Sequence, residues 1–165
     1  MIKWLLAFFC ICMVKSGMTQ TTAGACNVKT TYTIDGRLTK FIASQTIDST
    51  KDMVSSLGAE LTGSYYYITV KVVFKTAVKI VAGDLVLQFS DNSAINVPLT
   101  NCSNSGVGNF ESTTCSYIVL DKFMSAMTTK SIDKIIFRMI DNTFKAIDMK
   151  PKSTILKDAL ACLVQ

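Results

Sequence analysis

The chain has 165 residues, 49% of them hydrophobic, with a net charge of +5, which suits one domain plus a targeting segment. It contains no histidine, and that excludes Ser-His-Asp and Cys-His catalysis, His-ligated zinc and the ordinary neutral-pH general base. The charge excess is mild and forms no dense basic block, so it reads as solvated surface and not as a nucleic-acid footprint.

Residues 1–19 read as a secretory signal peptide. Lys3 is the positive start, and Trp4 to Val14 is an unbroken run of 11 apolar residues. Such a run is too short to cross a hydrocarbon core of about 30 Å, which takes roughly 20 helical residues, so no transmembrane span is expected. Ser16, Gly17 and Thr19 offer a small-residue cleavage site just before Gln20. Ala23-Gly24-Ala25 is a later option. A lipid on Cys26 is an alternative that the polar stretch from Lys15 to Thr22 argues against. Residues 20–165 then form a single secreted domain, and its 15 basic and 12 acidic residues leave a net charge of +3.

Four cysteines remain after such a cut: Cys26, Cys102, Cys115 and Cys162. An even number in an exported chain argues for two disulfides, with three connectivities open. Cys102 with Cys115 would clasp a Ser/Asn/Gly-rich segment, and Cys26 with Cys162 would tie the two ends of the domain. A thiolate metal site is the rival reading, but no pair has the close spacing of zinc ligands. No metal is expected.

Taken in order, Thr31, Tyr32 and Thr33 favour a strand, Asp35-Gly36 is a hairpin signal, and Leu38 to Ile42 returns. Thr50 to Gly63 is interrupted by Gly58 and Gly63 and reads as a loosely structured connection. From Tyr66 the apolar residues alternate through Ile68, Val70, Val72 and Phe74, the period of a half-buried strand. After a link carrying Val78 and Ile80, the pattern repeats at Leu85, Leu87 and Phe89, and again at Ile95, Val97 and Leu99. Ser90 to Ser93 turn between the last two runs. These runs together predict an antiparallel meander. Pro98 places the third strand at an edge or ends it.

Asn101 to Thr114 reads as a surface loop, with Asn101-Cys102-Ser103 matching a glycosylation acceptor pattern, and Cys115 to Leu120 as a strand. Asp121 opens a short helix, its carboxylate placed to cap, with Phe123, Met124 and Met127 on the buried side. Ser131 to Met139 predicts a strand, Asp141-Asn142 a turn, and Thr143 to Met149 a further strand. Pro151 stops that strand and Ser153 caps a final helix, where Ile155, Leu156, Ala159, Leu160 and Leu163 form an apolar stripe. No internal repeat of fixed period is visible. Strands come first and helices last, so the expected class is an antiparallel, β-rich α+β domain. It is meander- or sandwich-like, with a short helix near 121–128 and a C-terminal helix near 153–163.

Candidate chemistry is sparse. The two glutamates, Glu60 and Glu111, fall in segments read as loop, and Asp84, Asp91, Asp121 and Asp141 stand at turns or a helix start, where Asp serves structure. Asn104 to Asn109 holds glycines but lacks the lysine and the strand–loop–helix setting of a phosphate cradle. No cofactor motif is read. Tyr65 and Tyr67, on the strand face opposite Tyr66, are the candidate binding residues. Exposed tyrosines join apolar area to a polar tip and suit protein or glycan partners. The plainer reading is that they are strand formers under another layer.

Four stretches carry a resemblance: Leu85 to Ser93, Val119 to Met127, Ile132 to Arg138, and the ending Ile155 to Leu163. Their succession resembles small exported proteins of Bacteroidetes-type bacteria with no assigned activity, and Gln20 after the cleavage site fits the same habit. The resemblance implies an exported domain and transfers no catalytic residues. The expected function is binding or structural association outside the cytoplasm, without catalysis. A secreted hydrolase using carboxylates or a Ser–Lys pair and a carrier of small apolar ligands are the alternatives.

Overall fold

The structure, a computed structural model, describes residues 26–75, 81–107 and 110–164. The stretch read as a signal peptide, the candidate cleavage sites, Val78, Ile80, Gly108 and Asn109 lie outside the described residues. The elements are β1 (Val28–Tyr32), β2 (Leu38–Ser49), β3 (Met53–Thr62), β4 (Tyr65–Phe74), β5 (Val81–Phe89), β6 (Ala94–Val97), β7 (Leu99–Val107) and β8 (Phe110–Val119). Helix α1 (Asp121–Thr129), β9 (Ile132–Met139), β10 (Phe144–Asp148), a 3-10 turn (Lys150–Lys152) and helix α2 (Ile155–Val164) complete them. The class is the predicted one: β-rich, antiparallel throughout, with two helices late in the chain.

Two sheets form a sandwich. One has six strands in the order β1-β2-β3-β4-β8-β7, the other four in the order β10-β9-β5-β6. Alternation decides which face of β4 is covered: Ile68, Val70, Val72 and Phe74 are buried, and their partners include Ala59 and Leu57 of β3 and Tyr117 and Cys115 of β8. The smaller sheet covers the β7–β8 side of that face, β5 meeting β7 and β8. Helix α2 covers the β2–β3 side with Leu156, Leu160 and Leu163, and α1 packs on α2 through buried Met127. Fully burying a leucine or phenylalanine stabilises by about 1.5–3 kcal/mol, so Phe89, Phe137, Leu85 and Leu87 at the sheet interface contribute heavily. The chain's ends are joined by a disulfide between Cys26 and Cys162, and Cys102 is bonded to Cys115, its partner across the β7–β8 ladder.

Several elements depart from the sequence reading. The three apolar runs do not make one meander: β4 lies in the six-stranded sheet, β5 and β6 in the other. Pro98, with no N–H to donate, ends β6 at the edge of its sheet, and from Leu99 the chain crosses into the opposite layer as β7. The stretch read as a loose connection is β3, an interior strand paired over its whole length with β4. Its weak propensity is overridden because Met53, Ser55, Leu57 and Ala59 alternate inward between two partners. The supposed loop 101–114 is mostly the hairpin strands β7 and β8, whose Ser and Thr side chains pair across the ladder. Asp121 is the first residue of α1 and not its cap. Leu120 holds the cap position without a side-chain bond. Ser153 ends the 3-10 turn, and Thr154 accepts the first α2 bond, from the Asp158 N–H, so the helix opens one residue later.

The register also reveals two pairs of matching hairpins, a repeat that no fixed period would detect. Val70 faces Cys115 across β4–β8, an offset of 45 residues, and Val86 faces Ile136 across β5–β9, an offset of 50. The β3–β4 hairpin matches β7–β8, and β5–β6 matches β9–β10. The offset grows because the second β8–β9 link accommodates α1. The two image turns are built alike. Asp91 accepts from the N–H and hydroxyl of Ser93, and Asp141 does the same from Thr143. Asn92 (φ 64°) and Asn142 (φ 61°) take the left-handed position that asparagine tolerates best after glycine.

Candidate binding site on the outer face of the six-stranded sheet

Residues that alternate away from the core make a second, outer face. Pairing places Lys29, Phe41, Glu60, Tyr67 and Ile118 in one row across β1, β2, β3, β4 and β8. The next row toward the β3–β4 turn holds Thr31, Thr39, Thr62 and Tyr65. Both sequence-predicted residues are therefore on this face, Tyr65 about half exposed and Tyr67 half-buried opposite Glu60. Tyr66 packs against the core, on the other side of the sheet. The Arg37 guanidinium lies close enough to the phenols of Tyr67 and Tyr65 to feel their field. Its own charge is held chiefly by hydrogen bonding to Asp35, at 2.7 Å from Nε, which raises its pKa.

Thr39 and Thr62 are buried on this face, 4% and 8% exposed, and their hydroxyls lie 2.9 Å apart. Thr62 gives its single proton to Glu60 Oε1 at 2.6 Å, so Thr39 must be the donor in the Thr39–Thr62 pair. The relay runs Thr39 to Thr62 to Glu60. It aligns one carboxylate oxygen, and because a carboxylate accepts several bonds, the group keeps capacity for a ligand.

Beside Glu60 the face is indented. Gly58 has no side chain, and β2 bulges between Ile42 and Gln45 as it passes. The result is an open depression of about 360 Å³ walled by Phe41, Ser44, Glu60 and Thr69, with Gly58 in its floor. A Cβ at position 58 would sit 2.8 Å from Ser44 Oγ and 3.3 Å from the Ile42 carbonyl oxygen, so glycine is what keeps the close approach. At this end of the sheet the β1–β2 hairpin and the start of β4 expose Tyr32, Ile34, Leu38 and Tyr65, with Tyr65 on the outer face and the Tyr32–Leu38 pair alternating to the other side.

The arrangement offers an aromatic wall, a positioned carboxylate and hydroxyls: equipment for recognition. Four of the aspartates are engaged elsewhere: Asp84 by the Leu99 N–H, Asp91 and Asp141 in their turns, and Asp35 by Thr33 and Arg37. Among the described residues, no group of three His, Cys, Asp or Glu side chains could hold a metal ion, and no helix is long and apolar enough to cross a membrane. Sequence reasoning placed the two tyrosines on this face and did not single out Phe41, Gly58, Glu60 or Thr69. Glu60 was read as loop because Gly58 and Gly63 bracket it. The signal that could have found it is the alternation Met53, Ser55, Leu57, Ala59, Leu61, which puts Glu60 on the opposite face.

No family model, no curated protein and no solved structure matches the chain.

Proposed function

We propose that this chain is an exported domain that acts by binding outside the cytoplasm, through the outer face of the six-stranded sheet, to a protein or glycan partner. The observation that carries the reading is Glu60: a carboxylate aligned by two buried threonines, opposite Tyr67 and beside a depression. Two buried hydroxyls spent on orienting one surface carboxylate make sense where that carboxylate meets a ligand. The two disulfides support maturation in an oxidising compartment, as export through the predicted leader requires. The inner faces meet in a core where Leu85, Leu87, Ile135 and Phe137 are fully buried, which favours binding on the surface over carriage inside the sandwich.

The test is retention of the secreted, disulfide-intact chain on intact cells and on extracellular material. Tyr67→Ser combined with Glu60→Ala is expected to abolish retention. Gln88→Ala with Lys134→Ala, a cross-strand pair on the opposite sheet, is expected to leave it unchanged. Equal retention of all three proteins overturns the reading. N-terminal sequencing of the same material is expected to begin at Gln20.

A further inference from the structure

We infer that the Gly58 depression is a subsite for one ring of a neutral saccharide, an inference that rests on the binding reading above and names its ligand class. The argument starts from what the walls offer. Phe41 presents apolar aromatic surface, against which the C–H face of a pyranose ring can lie. Glu60 faces the same space with Oε1 already occupied by Thr62, and its remaining lone pairs accept hydroxyl protons in short charge-assisted bonds. Thr69 and Ser44 add hydroxyls that can donate or accept as the ligand requires. A ligand matching this set needs one apolar face and an edge of hydroxyl donors. A sugar ring has both.

Charge narrows the class. Glu60 is the single charged residue in the lining, so a phosphate, sulfate or uronate placed there would meet a carboxylate with no cation against it. Lys29 stands next to Phe41 in the same row, and Lys71 stands one outward position beyond Thr69 on β4. Standing outside the lining, these ammonium groups offset the Glu60 charge over the face as a whole, so a ring that carries no net charge and offers hydroxyl donors to the carboxylate suits the depression best. Size agrees: the depression, about 360 Å³, is at the small end of the roughly 300–1,000 Å³ range of ligand pockets, enough for one ring. It is open to the surface, and the row continues to Tyr67, so a longer glycan can extend along the face.

The experiment is an array of neutral, acidic and amino saccharides probed with the secreted, disulfide-intact chain, followed by calorimetric titration with the neutral oligosaccharides that score. Binding is expected to be confined to neutral saccharides. Glu60→Gln, which keeps shape and removes charge, is expected to weaken it by about tenfold or more, and Phe41→Ala by a similar factor. Lys29→Gln and Lys71→Gln, outside the lining, are expected to change affinity by less than about twofold. Melting curves of each variant separate lost binding from lost folding. The inference is overturned if no neutral saccharide binds at millimolar concentration, or if Glu60→Gln and Phe41→Ala both leave affinity unchanged. Binding confined to acidic saccharides and dependent on the two lysines would also overturn it. Retention on cells that needs Tyr67 and Glu60, with no saccharide bound, identifies a protein partner: the saccharide inference then falls while the binding reading stands. Loss of both removes both.

Discussion

The Lys130 ammonium, just past the end of α1, lies 2.7 Å from the Asp91 carboxylate in the β5–β6 turn and donates to Ser93 Oγ at 3.0 Å. One cation thus clamps a helix end to a hairpin turn, over the ring of Phe89. The hydrogen bond from Lys130, helped by those from Ser93, holds Asp91 well below the ordinary carboxylate value of 3.8. A depressed carboxylate favours the folded state above the unfolded value, and that contribution is lost as pH falls through and below it. Lys130→Met is therefore expected to flatten the acid limb of the stability curve below about pH 4, read by urea unfolding at stepped pH. An unchanged limb would show that the clamp is not coupled to folding.

Tyr117 gives the opposite limb. It is fully buried, and its hydroxyl has no hydrogen-bond partner among the described residues. Burial first, and the field of Asp84 second, push the phenol well above its ordinary value of 10.0. A raised acid keeps its proton in the folded state, so stability is full below the unfolded value and falls as pH rises above about 10. Tyr117→Phe removes an unsatisfied polar group and is expected to raise stability by about 1 kcal/mol at neutral pH. It should also remove part of the alkaline loss. Denaturant unfolding at pH 7 and pH 10.5 measures both effects. A destabilised Tyr117→Phe would mean that the hydroxyl is satisfied after all.

The two disulfides close loops of very different size, with sequence separations of 136 and 13 residues. Loop-closure entropy predicts that Cys26→Ser with Cys162→Ser costs about 4–5 kcal/mol and Cys102→Ser with Cys115→Ser about 3 kcal/mol. Urea midpoints of the two double variants check the order. The reverse order would indicate that the β7–β8 clasp, and not the joined ends, dominates.

Asn142 tests the image turns. At φ 61° a β-branched side chain is strained, so Asn142→Val is expected to cost about 1–2 kcal/mol, while Asn142→Gly is nearly neutral. Melting temperatures of the two variants give the comparison, and equal values would refute a left-handed requirement.

Much of the local structure was legible in the chain. The alternation of Ile68, Val70, Val72 and Phe74, the Asp35-Gly36 hairpin, the arrest at Pro98 and the stripe Leu156, Leu160, Leu163 each express a period or a backbone restriction that neighbours along the sequence suffice to state. Tyr65 and Tyr67 were assigned to the outer face for the same reason: opposite faces follow from parity alone. An even set of cysteines after the predicted leader likewise suggested two disulfides, though not by itself which pairs.

Tertiary structure decided what depends on partners distant in the chain. Met53 to Thr62 is a strand because β2 and β4 flank it and α2 covers its inner side, and no local propensity states that. The chain's change of sheet at Pro98, the matching of β3–β4 with β7–β8, and the union of Cys26 with Cys162 come from register and layer packing. So does the candidate site. Phe41, Gly58, Glu60 and Thr69 lie on three strands, and ladder pairing alone brings them to one depression. The sequence by itself determined which residues alternate, turn and stop. Burial between layers determined which strands are neighbours, and hence where this chain can hold a ligand.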